Sequence, residues 1–174
     1  MAIFYRRASW AGMACILTLG IPSDWGGAQS RPVLSFYGTA GLMDTPTAES
    51  MSDGALSFTA GHFGETLRNT LSFQITPRLS GSFRYAILDG YRDGITTYYD
   101  RSFDLQYRFA DEGRYLPAVA LGLRDFGGTG VYGAEYFVAT RHLTPSVKLS
   151  GGIGWGRLGT YGGFSNPFSV FSDR

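Results

Sequence analysis

A chain of 174 residues can bury a sizeable core, yet charged residues make up 17% of this one, against about 25% in a typical soluble domain. Its formal net charge of +1 leaves no basic or acidic excess, which argues against nucleic acid as a partner. No apolar run reaches the ~18 residues of a membrane-spanning helix, whereas 25 glycines and 16% aromatic residues suit strands, turns and interfacial girdles.

Arg6 and Arg7 precede an uncharged, mostly apolar stretch from Ala8 to Ile21, and Gly26-Gly27-Ala28 forms a small-x-small site. Residues 1–28 therefore read as a cleaved secretory signal, with a short buried helix or an uncleaved anchor as the alternatives. The single cysteine, Cys15, lies inside the apolar stretch. Gly12-Met13-Ala14-Cys15 half resembles a lipobox, but Gly12 replaces the usual Leu and the position is early, so lipidation is the lesser expectation. Cleavage after Ala28 leaves a chain without thiol or disulfide chemistry.

Residues 29–54 form a leader, periplasmic or lying in a lumen, with a short strand-like run at Val33 to Thr39. Residues 55–156 then alternate apolar and polar with period two, the pattern of strands with two different faces. Leu71, Phe73 and Ile75 alternate with Thr70, Ser72 and Gln74, and Phe103, Leu105, Tyr107 and Phe109 alternate with Asp104, Gln106 and Arg108. In the later segments Leu121 and Leu123 oppose Gly122 and Arg124, while Tyr132, Ala134, Tyr136 and Val138 are set against Gly133 and Glu135. Connections fall into a tight set (Thr76-Pro77-Arg78, Asp111 to Leu116, Leu143-Thr144-Pro145) and a longer set (Leu88 to Asp100, Asp125 to Val131, and 157–174). Short inner turns and longer outer loops predict an all-β fold: an antiparallel up-and-down transmembrane β-barrel. The alternating segments come to roughly seven, an odd number, so the chain is expected to be an incomplete N-terminal part of a larger barrel.

The stretch Gly38-Thr39-Ala40-Gly41-Leu42-Met43-Asp44-Thr45-Pro46-Thr47-Ala48, followed by Asp53-Gly54 and the Thr-Pro hairpins, resembles the N-terminal part of the YjbH family. The resemblance implies an outer-membrane protein of a Gram-negative bacterium, linked to secretion or assembly of a surface exopolysaccharide. Its implied partners are outer-membrane lipid, polysaccharide and other export proteins.

Charges on the polar phase, Arg84, Asp104, Arg108, Arg124, Glu135 and Lys148, are the candidate lumen-facing groups. They either set selectivity for a polar polymer or pair to stabilise the interior. Tyr91, Tyr98, Tyr99 and Tyr161 in the outer loops are candidate glycan contacts, because aromatic faces stack on sugars. No catalytic residue, cofactor or metal site is expected: His62 and His142 are the only histidines and fall toward opposite ends of the strands. Two rivals remain, a secreted soluble β-sandwich that binds glycan and a barrel enzyme using His62.

Overall fold

The alternating segments build a single antiparallel meander in the computed structural model, which describes residues 15–19, 32–92 and 95–159. In chain order the elements are β1 (Cys15–Leu19), a small hairpin of β2 (Gly41–Leu42) and β3 (Thr45–Pro46), and then the meander. The meander comprises β4 (Leu56–Phe63), β5 (Thr66–Thr76), β6 (Leu79–Arg92), β7 (Ile95–Ala110), β8 (Ala118–Arg124), β9 (Ala134–Thr144) and β10 (Val147–Gly154), followed by a 3-10 turn at Gly156–Leu158. Each meander strand pairs with the next, and β1 adds antiparallel to β10 with Cys15 opposite Gly151. The sheet curls, with β1 and β4 at the two ends of its order. Most of the expected signal segment and the tail from 160 onward lie outside the described residues.

Period two gives the sheet two unlike faces. The outer face is apolar and open: Phe58, Leu71, Phe103, Tyr107 and Phe109 are all exposed, and Phe83 packs on Phe103 with ring centroids 5.0 Å apart. The inner face is polar and closed. Thr70, Ser72, Ser82, Arg84, Asp104, Gln106, Thr140 and Ser150 are all buried.

Residues 33–53 provide the cover, and their chemistry explains the polarity beneath them. A leader with little regular structure carries backbone donors and acceptors that must be met once buried. Strand side chains meet them: Ser72 Oγ donates to Gly38 O at 2.6 Å, Gln106 Nε2 to Thr47 O at 3.1 Å, and Arg124 Nη1 to Asp44 O at 3.0 Å. In the reverse direction Ala48 N donates to Thr140 Oγ1 at 2.8 Å and Met51 N to Gln74 Oε1 at 3.0 Å. Apolar residues at these inner positions would leave the leader's amides and carbonyls orphaned.

Two turns repeat one device. Thr76 pairs with Leu79 across Pro77-Arg78, and its hydroxyl accepts from Arg78 N and Leu79 N at 3.3 and 3.0 Å. Thr144 pairs with Val147 across Pro145-Ser146, with its hydroxyl accepting from Ser146 N at 3.3 Å. Proline presets the turn and the threonine hydroxyl caps it, so the internal resemblance of the two segments has a mechanical cause.

Two expectations need correction. The stretch from Leu88 to Asp100 is not a long loop: β6 and β7 continue through it, pairing Asp89 with Thr97 and Leu88 with Tyr98. Thr97 Oγ1 donates to Asp89 Oδ1 at 2.8 Å, so polar residues in this stretch are cross-strand partners. Val33 to Thr39 is not a strand either, because it turns on itself, with Ser35 N bonded to Thr39 O at 2.8 Å and Gly38 N to Ser35 O at 2.9 Å.

At the inner face Gly122 lies directly under the ring of Tyr136, where any Cβ would overlap the ring atoms. That ring's hydroxyl donates to Gln106 Oε1 at 2.8 Å. Gly122→Val is therefore expected to destabilise by about 1–3 kcal/mol through overpacking, seen as a lower urea midpoint for the full-length protein in detergent.

Candidate functional site

The inner face brings together a group of guanidinium and tyrosine side chains at the end where β8 leaves the sheet and β9 enters. Tyr37, from the leader, is 1% exposed, and its ring is faced by Arg124, Arg84 and Arg68 at 4.5, 4.8 and 5.2 Å. Its hydroxyl accepts from Arg157 Nε at 2.9 Å. Tyr132 stands edge-on to it, with centroids 5.7 Å apart. The leader can reach this depth because Gly38 follows with φ +75°, and a Cβ there would collide with Thr59 and Thr70.

Asp104 anchors the group. It receives Arg84 Nη1 and Nη2 at 2.9 and 3.3 Å, Ser82 Oγ at 3.4 Å and the backbone N of Asp125 at 2.9 Å. Asp125, held at φ 52°, passes the order onward by accepting Tyr132 N on Oδ2 at 3.0 Å.

The opposite end of the leader is pinned by a second set. Lys148 Nζ reaches Glu49 Oε2 at 2.6 Å, and His142 Nε2 lies 3.9 Å from Glu49 Oε1. His142 also meets Glu112 twice, through its backbone N and its Nδ1, both at 2.7 Å. Burial alone would raise the Glu112 carboxyl, but the hydrogen bonds and charge of His142, aided by Arg141, outweigh it and hold Glu112 below its ordinary 4.5. A carboxyl depressed in the folded state stabilises fully above its unfolded value and loses that contribution as pH falls through the folded one. The protection factors of amides in the Glu112 to Leu116 turn, which correct for the intrinsic slowing of exchange in acid, are therefore expected to fall as pH drops below 4.5, and Glu112→Gln should remove that pH step.

Of the predicted charges, Arg84, Asp104, Arg124 and Lys148 share the inner face, and all contact one another or the leader. Arg108 sits near the rim, where its Nε lies 3.1 Å from Asp111 and its Nη2 bonds Pro77 O at 3.2 Å. Glu135 is a correction: it lies on the outer phase, between buried Ala134 and Tyr136. From Tyr132 into β9 the usual polarity is inverted, since Tyr132 and Tyr136 turn inward to the arginines and Gln106. Their hydroxyl and ring faces do polar work that a hydrophobicity pattern scores as apolar.

The four loop tyrosines form no common platform among the described residues. Tyr98 packs inward beside Tyr37, Leu88 and Tyr132, while Tyr99 faces out and stacks on Tyr85 at 6.2 Å. The Tyr91 side chain and Tyr161 lie outside the described residues. His62, near the β4–β5 turn, and His142, near the β9–β10 turn, are at opposite ends of the strands. Sequence reasoning missed Tyr37, Arg68, Arg157 and Glu49. Only Arg68 carried a signal, since it continues the period-two phase of Thr70 and Ser72 along β5.

Comparison with known proteins gives two findings. The YjbH family model, described as "Exopolysaccharide biosynthesis protein YbjH", matches residues 33–174. An Escherichia coli (strain K12) protein described as "Uncharacterized lipoprotein YjbH" is 36% identical over 170 residues, covering 91% of this chain and 24% of the relative. The chain thus spans about a quarter of the length of that relative. No solved structure matches. The segment that carried the resemblance, Gly38 to Ala48, lies in the leader that covers the inner face, and the family match across 33–174 establishes that the chain belongs to the YjbH family.

Proposed function

We propose that this chain forms part of an outer-membrane β-barrel that serves exopolysaccharide secretion or assembly without catalysing a reaction. The observation that carries this reading is the pairing of an exposed apolar outer face with a buried polar inner face across the meander. A soluble sandwich places its apolar face in a dry core against a second sheet. Here the apolar residues are the exposed ones, and the inner face is lined by ionic and hydroxyl groups, as in a barrel set in lipid. The edges at β4 and β1 offer backbone groups for further strands, which a membrane requires to be satisfied. Polysaccharide is the proposed cargo, taken from the description of the family. Deleting the gene should abolish or reduce the surface exopolysaccharide, and the full-length protein should restore it; unchanged polymer after deletion would sink the reading.

One observation favours a second processing route. The relative is described as a lipoprotein, and Cys15, with Gly12-Met13-Ala14 before it, is the first residue of β1. Acylation at Cys15 would anchor the chain in the membrane and retain β1 beside β10. Palmitate labelling that disappears in Cys15→Ser supports this route. A mature N-terminus at Gln29 excludes it.

A further inference from the structure

Four arginines surround two tyrosines at the head of the leader, and their hydrogen-bonding capacity is not used up. Arg157 and Arg68 face the Tyr132 ring at 5.1 and 5.2 Å and Arg84 does so at 5.4 Å, in addition to the Tyr37 contacts. The Nε atoms of Arg68, Arg84 and Arg124, and Nη2 of Arg124, are buried without a hydrogen-bond partner among the described residues. Arg84 is 0% and Arg124 3% exposed, so these are deep donors and not surface groups awaiting solvent. Asp104 already holds Arg84 through Nη1 and Nη2, Asp125 accepts Tyr132 N, and Asp100 accepts the Thr129 hydroxyl, so the fork with two open donors is that of Arg124, at Nε and Nη2.

We propose that this cage is a binding site for the carboxylate of an acidic sugar, and that the leader closes it by placing Tyr37 inside. The proposal rests on the export reading above and names its substrate class. A planar guanidinium matches a carboxylate through two parallel N–H donors, which a neutral sugar cannot replace. Tyr132 remains as a stacking face for the sugar ring once Tyr37 leaves. Withdrawal is mechanically available, because residues 33–53 are held by side chains of the strands and not by the meander's own ladders. Withdrawal of Tyr37 parts its hydroxyl from Arg157, Gly38 O from Ser72 and Asp44 O from Arg124, while Glu49 with Lys148 can keep the far end of the leader pinned.

The test uses full-length protein in detergent, with oligogalacturonate as the acidic probe and a maltooligosaccharide as the neutral one. If Tyr37 occupies the site most of the time, Tyr37→Ala should tighten oligogalacturonate binding by about 10-fold or more, since apparent affinity scales with the open fraction. Tyr37→Phe, which keeps the ring, should bind like the unaltered protein. Arg124→Gln added to Tyr37→Ala should cancel the gain. A readout that needs no variant is hydrogen exchange in the unaltered protein, where oligogalacturonate should accelerate residues 36–48 and the neutral probe should not. Equal response to both probes, or leader exchange that oligogalacturonate leaves unchanged, overturns the cage. Either result in a protein that still restores exopolysaccharide to a deletion strain leaves the export reading standing.

Discussion

Asp104→Ala is expected to destabilise the protein by about 3–5 kcal/mol, the range for removing one partner of a buried ion pair. Asp104 is 5% exposed and Arg84 0%, so the change strands a guanidinium where water cannot reach it. The loss extends beyond the pair. Asp104 Oδ1 also holds the backbone N of Asp125, whose φ of 52° is an unfavourable conformation for a side-chain-bearing residue. The β8–β9 connection that places Tyr132 should loosen with it. Arg84→Met combined with Asp104→Leu is expected to recover most of the loss, because the pair's desolvation is removed together with its attraction. Urea unfolding of the full-length protein in lipid vesicles measures both. A single substitution costing under about 1 kcal/mol would mean that the inner face is hydrated and the pair screened.

Leu121→Arg carries the second large effect. Leu121 lies mid-strand on the outer phase of β8, opposite Tyr107 and Phe137. In lipid a charge there should cost about 2–4 kcal/mol. Leu71→Arg gives the sharper contrast, since Leu71 is 38% exposed. At such a position a water-facing substitution typically changes stability by only about 0.5 kcal/mol in either direction. Tyr115→Arg, in the Asp111–Pro117 turn where Tyr115 is 76% exposed, is the control expected to be near neutral. Folding yield into vesicles and unfolding midpoints should rank Leu121 as worst and Tyr115 as harmless.

The outer face was legible because it follows one rule. Leu71, Phe73 and Ile75, and then Phe103, Leu105 and Tyr107, keep period two without interruption, and the Thr-Pro turns mark where the chain reverses. The inner face was only half legible. Its polar residues in β5, β6 and β7 alternate visibly, but nothing local between Tyr132 and the start of β9 says that Tyr132 and Tyr136 turn inward and leave Glu135 outside. That choice is made by partners distant in sequence: Gln106 is 30 residues from Tyr136, and Arg68 lies 64 residues from Tyr132. Lys148 was assigned inward, yet its partner Glu49 is 99 residues away in the leader. The leader itself hid for the same reason. Its backbone is satisfied by side chains from many strands, so no periodicity of its own announces burial. Gly, Tyr and Asp between Leu88 and Asp100 imitated a loop because the pairing that makes them strand, such as Asp89 with Thr97, is a cross-strand contact that composition does not reveal.

In the proposed barrel the outer phase of the meander meets lipid while the inner phase meets the leader. Single cysteines at Leu105 and Gln106, neighbours on β7 with opposite phase, test it in a cysteine-free background of the full-length protein. With an environment-sensitive thiol fluorophore in vesicles, brominated lipid should quench the label at Leu105 and spare the one at Gln106. Equal quenching at both sites, or ready access of a water-soluble quencher to Leu105, would contradict the account.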